Sequence, residues 1–145
     1  MEVRLKKTHK DLEFVADNKV YQFNICSSPS KENGVIGFSP MELILEGVAG
    51  CMSIDIMMIL KKQRQVVESY EVLIKGNRVD EIPRVFESID MQVHIQGDIL
   101  PKKIRRAIDI SAQNYCSVLK MIEKAADVQI SYVLNGIAEK DIATS

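Results

Sequence analysis

Two cysteines carry the chemistry this sequence is best equipped to do. Cys51 sits among the small residues Gly47, Ala49, Gly50 and Ser53 within a long apolar stretch, and Cys116 falls at a break between two helical patterns, in Asn114-Tyr115-Cys116-Ser117. A thiolate is a nucleophile that oxidises to a sulfenic acid and then, beside a second thiol, to a disulfide. One cysteine inside a close helix contact and another at a helix start are what a dithiol/disulfide cycle requires. If Cys116 opens the second helical segment, the free N–H groups there predict a lowered thiol pKa. Plain packing is the competing reading of Cys51, because free cysteine is among the most buried residue types. Spacing alone does not say whether the two meet.

Two carboxylates accompany them. Asp55 lies four residues after Cys51 and shares its helix face. A carboxylate there raises the thiol pKa unless a cation intervenes, so Asp55 either pairs with a basic group or organises a local network. Glu42 precedes Cys51 by nine residues, about 13 Å along a helix axis and nearly on the opposite face, so joint action would have to cross a dimer. It also closes a Ser39-x-x-Glu42 capping box with Pro40 at the first helical position, a structural role sufficient by itself. His9 and His94 with the scattered cysteines form no zinc spacing, and no phosphate loop or Gly-x-Ser-x-Gly elbow occurs, so no metal and no cofactor are expected. Lys102, Lys103, Arg105 and Arg106 read as a solvated face, with an anionic-substrate site as the sharper idea.

These residues need elements to hold them. The capping box starts a helix spanning Ser39 to Gln65, apolar or small at nearly every position from Met41 to Leu60 and hence expected to be buried on most of its circumference. At roughly 1.5 Å per residue it runs about 40 Å, enough to extend into a partner subunit. Before it, Val3 and Leu5, then Leu12, Phe14 and Ala16, then Tyr21, Phe23 and Ile25 alternate with polar neighbours as an antiparallel meander turning at Asp17-Asn18, followed by a loop from Cys26 to Gly37. After it, Tyr70, Val72 and Ile74 pair with Ile89, Met91, Val93 and Ile95 as a hairpin. Pro101 opens an amphipathic helix, a short helix follows Cys116, Val128, Ile130 and Tyr132 form a last strand, and the tail beyond Asn135 reads as loose. The order gives a single α+β domain over residues 1–145.

Composition bounds the setting. The chain has 145 residues, 46% hydrophobic and 27% charged, with a formal net charge of -1, which offers no electrostatic case for nucleic acid. The opening Met1-Glu-Val-Arg-Leu-Lys-Lys lacks the apolar run of a signal peptide, so a cytoplasmic location is expected, where thiols stay reduced. Met41 to Leu60 has the length of a membrane span, but Glu42, Glu46 and Asp55 interrupt it at a cost of a few kcal/mol for an acid near the bilayer centre, and no membrane partner is expected.

Ser39-Pro40-Met41-Glu42-Leu43 leading to Ala49-Gly50-Cys51, with the later Asn114-Tyr115-Cys116-Ser117-Val118, resembles the OsmC/Ohr family. The resemblance extends to the element order along nearly the whole chain. It implies an OsmC/Ohr-like α+β fold, with antiparallel sheets around a long central helix, in an intertwined homodimer. It also implies reduction of organic hydroperoxides, with Cys51 attacking and Cys116 closing a disulfide that a dithiol reductant reopens. The candidate catalytic set is then Cys51, Cys116, Glu42 and Asp55. The apolar setting of Met52, Met57 and Met58 suits a greasy peroxide, although methionines at such spacing are more often plain core. Two features depart from the peroxidase pattern. Glutamate falls one place late, at Glu42 with Met41 after Pro40, and the arginine those proteins use from the loop before the helix has no evident counterpart, Lys31 being the one cation from Cys26 to Pro40. Such departures fit a YhfA-like branch and leave a second expectation open, a dimeric binding module for an apolar or acyl ligand.

Overall fold

The computed structural model describes residues 1–27 and 36–143, so Lys31 and most of the loop after Cys26 lie outside the described residues. The chain divides into two compact units, Met1–Ile44 and Leu45–Ser145.

In the first unit the alternating runs form β1 (Arg4–Lys7), β2 (Glu13–Asp17) and β3 (Gln22–Cys26), paired antiparallel in that order. Asp17 and Asn18 make the β2–β3 turn through their side chains: Asp17 Oδ1 accepts from the Lys19 N–H at 2.6 Å and Asn18 Oδ1 from Tyr21 N–H at 2.8 Å. Such local bonds are why these residue types terminate strands.

Helix α1 (Pro40–Lys62) begins with the expected capping box. The Ser39 N–H donates to Glu42 Oε2 at 2.7 Å and the Glu42 N–H to Ser39 Oγ at 3.3 Å. It ends in a Schellman motif, with Arg64 at φ 58° and Gln65 N–H reaching back to the Leu60 carbonyl at 3.0 Å. The expected all-round burial does not hold within one chain. Val48, Met52, Ile56 and Leu60, four residues apart, are fully buried, whereas Gly50, Ile54, Met57 and Met58 stand open. By length and composition α1 is apolar enough to cross a membrane; here its buried stripe belongs to a protein core.

The second unit carries a four-stranded sheet in the order β4 (Val66–Arg78), β5 (Phe86–Asp98), β6 (Asp127–Leu134) and β7 (Ile137–Ala143). β4 and β5 form the expected hairpin, bulged where Gly97 (φ 143°) brings its backbone against the Val66 carbonyl, a place no side chain could occupy. β5 and β6 are parallel, joined through α2 (Pro101–Ile110), a π-turn (Ser111–Tyr115) and α3 (Ser117–Ile122). Parallel neighbours require such a crossover, since the chain must return to the same end of the sheet. Alternation on β5 and β6 buries Ile89, Met91, Val93, Ile95, Val128, Ile130 and Leu134, and α2 buries Ile104, Ala107 and Ile108. The tail is not loose: Asn135 (φ 50°) and Gly136 (φ 81°) make a two-residue turn that folds β7 antiparallel onto β6. Asn-Gly with both residues at positive φ is the type I′ hairpin signal.

Candidate functional site

Cys51 and Asp55 project from one face of α1, as their four-residue spacing dictates, and Cys116 meets them. The two sulfurs and a carboxylate oxygen lie within 4.8 Å of one another. Cys51 and Asp55 are half-buried and Cys116 is fully buried; all three cysteines are free thiols.

What carries Cys116 there is the break after α2. At Ser111 the helical ladder widens by one residue, so that the Cys116 N–H bonds the Ser111 carbonyl at 2.9 Å and Cys116 leaves the helix extended, at φ −71° and ψ 95°. A widened turn of this kind is often found at functional sites, because it re-aims one side chain without ending the element. Ser111 is itself fully buried, and its hydroxyl donates to Asp55 Oδ2 at 3.0 Å. Asp55 thus belongs to a local network. Cys116 then caps α3, its Sγ accepting from the Leu119 N–H at 3.4 Å.

The expected lowering of the Cys116 pKa is overturned. Burial pushes this thiol up to about 12, against a smaller opposing effect of the Leu119 N–H, and the neighbouring Cys51 and Asp55 push it further the same way. Desolvation of a buried thiolate outweighs a single N–H donor. At neutral pH Cys116 is a thiol.

Glu42 is not a member of the cluster; its carboxylate is engaged at the Ser39 cap. Cys26, buried at the end of β3, is not a member either. Met52 is core, whereas Met57 and Met58 line an open apolar groove with Lys61, Gln65 and Val67. Lys102, Arg105 and Arg106 are exposed, consistent with a solvated face, while Lys103 and Arg106 with Lys62 and Arg64 border a separate cleft. Ser111 is the residue sequence reasoning missed. Its one signal was a polar residue at a core-facing position of the α2 pattern, a place that demands a hydrogen-bonding partner.

An α+β fold with a long apolar helix bearing one thiol, and a second thiol delivered to it by a broken helix, defines a class of two-cysteine proteins. The chain belongs to the OsmC-like protein family, whose model matches residues 30–131. It is 42% identical over 95 residues to Protein YhfA of Escherichia coli K12, a match covering 65% of this chain and 71% of that one. In structure it is similar to a hypothetical protein from Aquifex aeolicus VF5, with a TM-score of 0.83, 28% identity and coverage of 92% and 95% of the two chains. It also shares its fold with the organic hydroperoxide resistance protein OhrB of Bacillus subtilis, with a TM-score of 0.63 at 18% identity over 91% of this chain and 98% of that one.

Proposed function

We propose that this protein reduces organic hydroperoxides through a dithiol cycle, as a cytoplasmic homodimer in which residues 1–145 act as one OsmC-like domain. One observation carries the proposal: the Cys51 and Cys116 sulfurs lie within 4.8 Å of each other, with Asp55, on the same helix as Cys51, hydrogen-bonded to Ser111 on the turn that carries Cys116. OsmC-like family membership and the fold shared with a protein named for organic hydroperoxide resistance support it.

Cys51, the more accessible thiol, attacks the outer peroxide oxygen as thiolate. The O–O bond breaks, the alkoxide leaves and takes up a proton as alcohol, and sulfur becomes sulfenic acid. Cys116 then attacks that sulfur, its proton passing to the departing hydroxyl, so that disulfide and water form. In this scheme Asp55 carries this proton, which matters because the Cys116 thiol does not ionise unaided near neutral pH. A dithiol reductant restores both thiols. Glu42 enters this scheme only from the partner subunit. The open face at Gly50 and Ile54 is the surface the partner helix would cover.

The groove at Met57, Met58 and Val67 favours a second reading, a module that binds an apolar or acyl ligand without turnover. Intact mass and thiol count before and after one equivalent of an organic hydroperoxide separate the two. Loss of two thiols with formation of a Cys51–Cys116 disulfide is expected; retention of both thiols rejects the cycle.

A further inference from the structure

The three groups that meet at Cys51 are also a ligand set for a metal ion. A tetrahedral ion with bonds of about 2.3 Å to sulfur and about 2.1 Å to oxygen holds two sulfurs about 3.8 Å apart and sulfur and oxygen about 3.6 Å apart. Measured against the 4.8 Å that bounds all three separations here, the ligand atoms need to draw in by at most about 1 Å. All three rise from elements already fixed: Cys51 and Asp55 from successive turns of α1, Cys116 from the end of the π-turn.

Outer hydrogen bonds of the kind that orient metal ligands are in place as well. Ser111 Oγ–H donates to Asp55 Oδ2 at 3.0 Å, and the Leu119 N–H donates to Cys116 Sγ at 3.4 Å, a contact that strengthens when sulfur becomes anionic. No linear motif announces such a site, because the two cysteines come from distant elements.

We infer that Cys51, Asp55 and Cys116 form a binding site for a thiophilic divalent cation of the zinc class, with three protein ligands and a fourth position open to water or an added ligand. Two sulfurs and one oxygen favour zinc-like ions over magnesium or calcium, which take oxygen sets. Binding breaks two S–H bonds, sends both protons to solvent and forms two metal–sulfur bonds; no electrons are transferred. The metal-bound and disulfide forms exclude each other, since a sulfur bonded into a disulfide is no longer a thiolate ligand. A bound cation therefore masks the dithiol, and oxidation of the pair releases it. The inference shares its residues with the proposed peroxide chemistry but stands on the reduced site's geometry alone.

The test is titration of the reduced, metal-free full chain with Zn²⁺ against a chromophoric chelator, with Co²⁺ as spectroscopic probe and proton release followed in weak buffer. One Zn²⁺ per chain with a Kd of about 10 µM or tighter, about two protons released, and a thiolate-to-cobalt charge-transfer band are expected. Asp55→Asn should weaken binding about 10- to 100-fold, and Cys51→Ala, at a half-buried position that tolerates truncation, should abolish it, while Cys26→Ser binds as wild type. Weaker binding than this in the wild type, or binding unchanged in both Asp55→Asn and Cys51→Ala, overturns the site. A protein that forms the disulfide with peroxide yet ignores Zn²⁺ sinks this inference and keeps the peroxidase; one that binds Zn²⁺ and ignores peroxide does the reverse.

Discussion

The Ser111 hydroxyl donates to Asp55 Oδ2 at 3.0 Å, and through that bond the turn carrying Cys116 is tied to the helix face carrying Cys51. Ser111 is fully buried and Asp55 half-buried, so each satisfies a polar group the other would otherwise leave stranded. Ser111→Ala should cost about 1–3 kcal/mol in urea unfolding. It should also slow closure of the Cys51–Cys116 disulfide while leaving the first reaction of Cys51 with peroxide unchanged. Additive stability losses for Ser111→Ala and Asp55→Asn in the double variant would show that the two side chains do not act as a unit.

The raised pKa of Cys116 makes a stability prediction in the alkaline range. In the unfolded chain its thiol ionises near its ordinary value of 9, whereas in the folded chain burial holds the proton to about 12. The unfolded state therefore releases this proton first, and stability is intact below pH 9 and lost as pH rises toward 12. The slope for one proton is about 1.4 kcal/mol per pH unit. Metal-free wild type and Cys116→Ala, compared by denaturant unfolding between pH 8 and 10.5, should converge as pH rises. Parallel curves would mean that Cys116 ionises as freely in the folded protein as in the unfolded one.

Gly50 tests the dimer. A Cβ built on Gly50 meets nothing within 4 Å inside its own chain, and Gly50 shares the open face of α1 with Ile54, which is 63% exposed. Replacing glycine within a helix by leucine should favour the helix of one chain by up to about 1 kcal/mol. Against a partner helix packed on the same face, Gly50→Leu should instead overpack the contact and weaken association by about 1–3 kcal/mol. Light scattering and unfolding as a function of protein concentration decide it. Identical oligomeric state for wild type and Gly50→Leu would place the partner, if there is one, on another surface.

Much of this was legible in the residues. The capping box specified the start of α1 to the residue because its two reciprocal bonds involve only neighbours in sequence. The sheet strands showed themselves by alternation, and the shared face of Cys51 and Asp55 by helical spacing. What sequence spacing does not contain is where distant elements meet, so the bond from Ser111 to Asp55 and the approach of Cys116 needed the folded chain. The pKa of Cys116 departs from expectation for the same reason: a helix start was visible, but desolvation by burial, which outweighs it, is a tertiary property. β7 is different. Its Asn135-Gly136 turn was present in the sequence, and the polar residues after it hid a short strand.

The last prediction concerns how fast Cys51 reacts. Peroxide cleavage needs the sulfur ionised and needs a donor for charge developing on the leaving oxygen. The resemblance to family peroxidases assigns this to a loop arginine, which has no evident counterpart in this sequence; the one cation from Cys26 to Pro40 is Lys31, and a lysine is a point charge that does not reproduce the fixed fork of a guanidinium. Loss of one preorganised donor costs about 10²–10³ in rate, so stopped-flow mixing of reduced protein with an organic hydroperoxide should give a rate constant lower by that factor than in arginine-bearing relatives. Cys116→Ser should then accumulate a sulfenic acid on Cys51 that a dimedone-type reagent traps, and Cys51→Ser should not react. A rate near the diffusional ceiling would mean that another group replaces the arginine, and trapping on Cys116 instead of Cys51 would reverse the assigned roles.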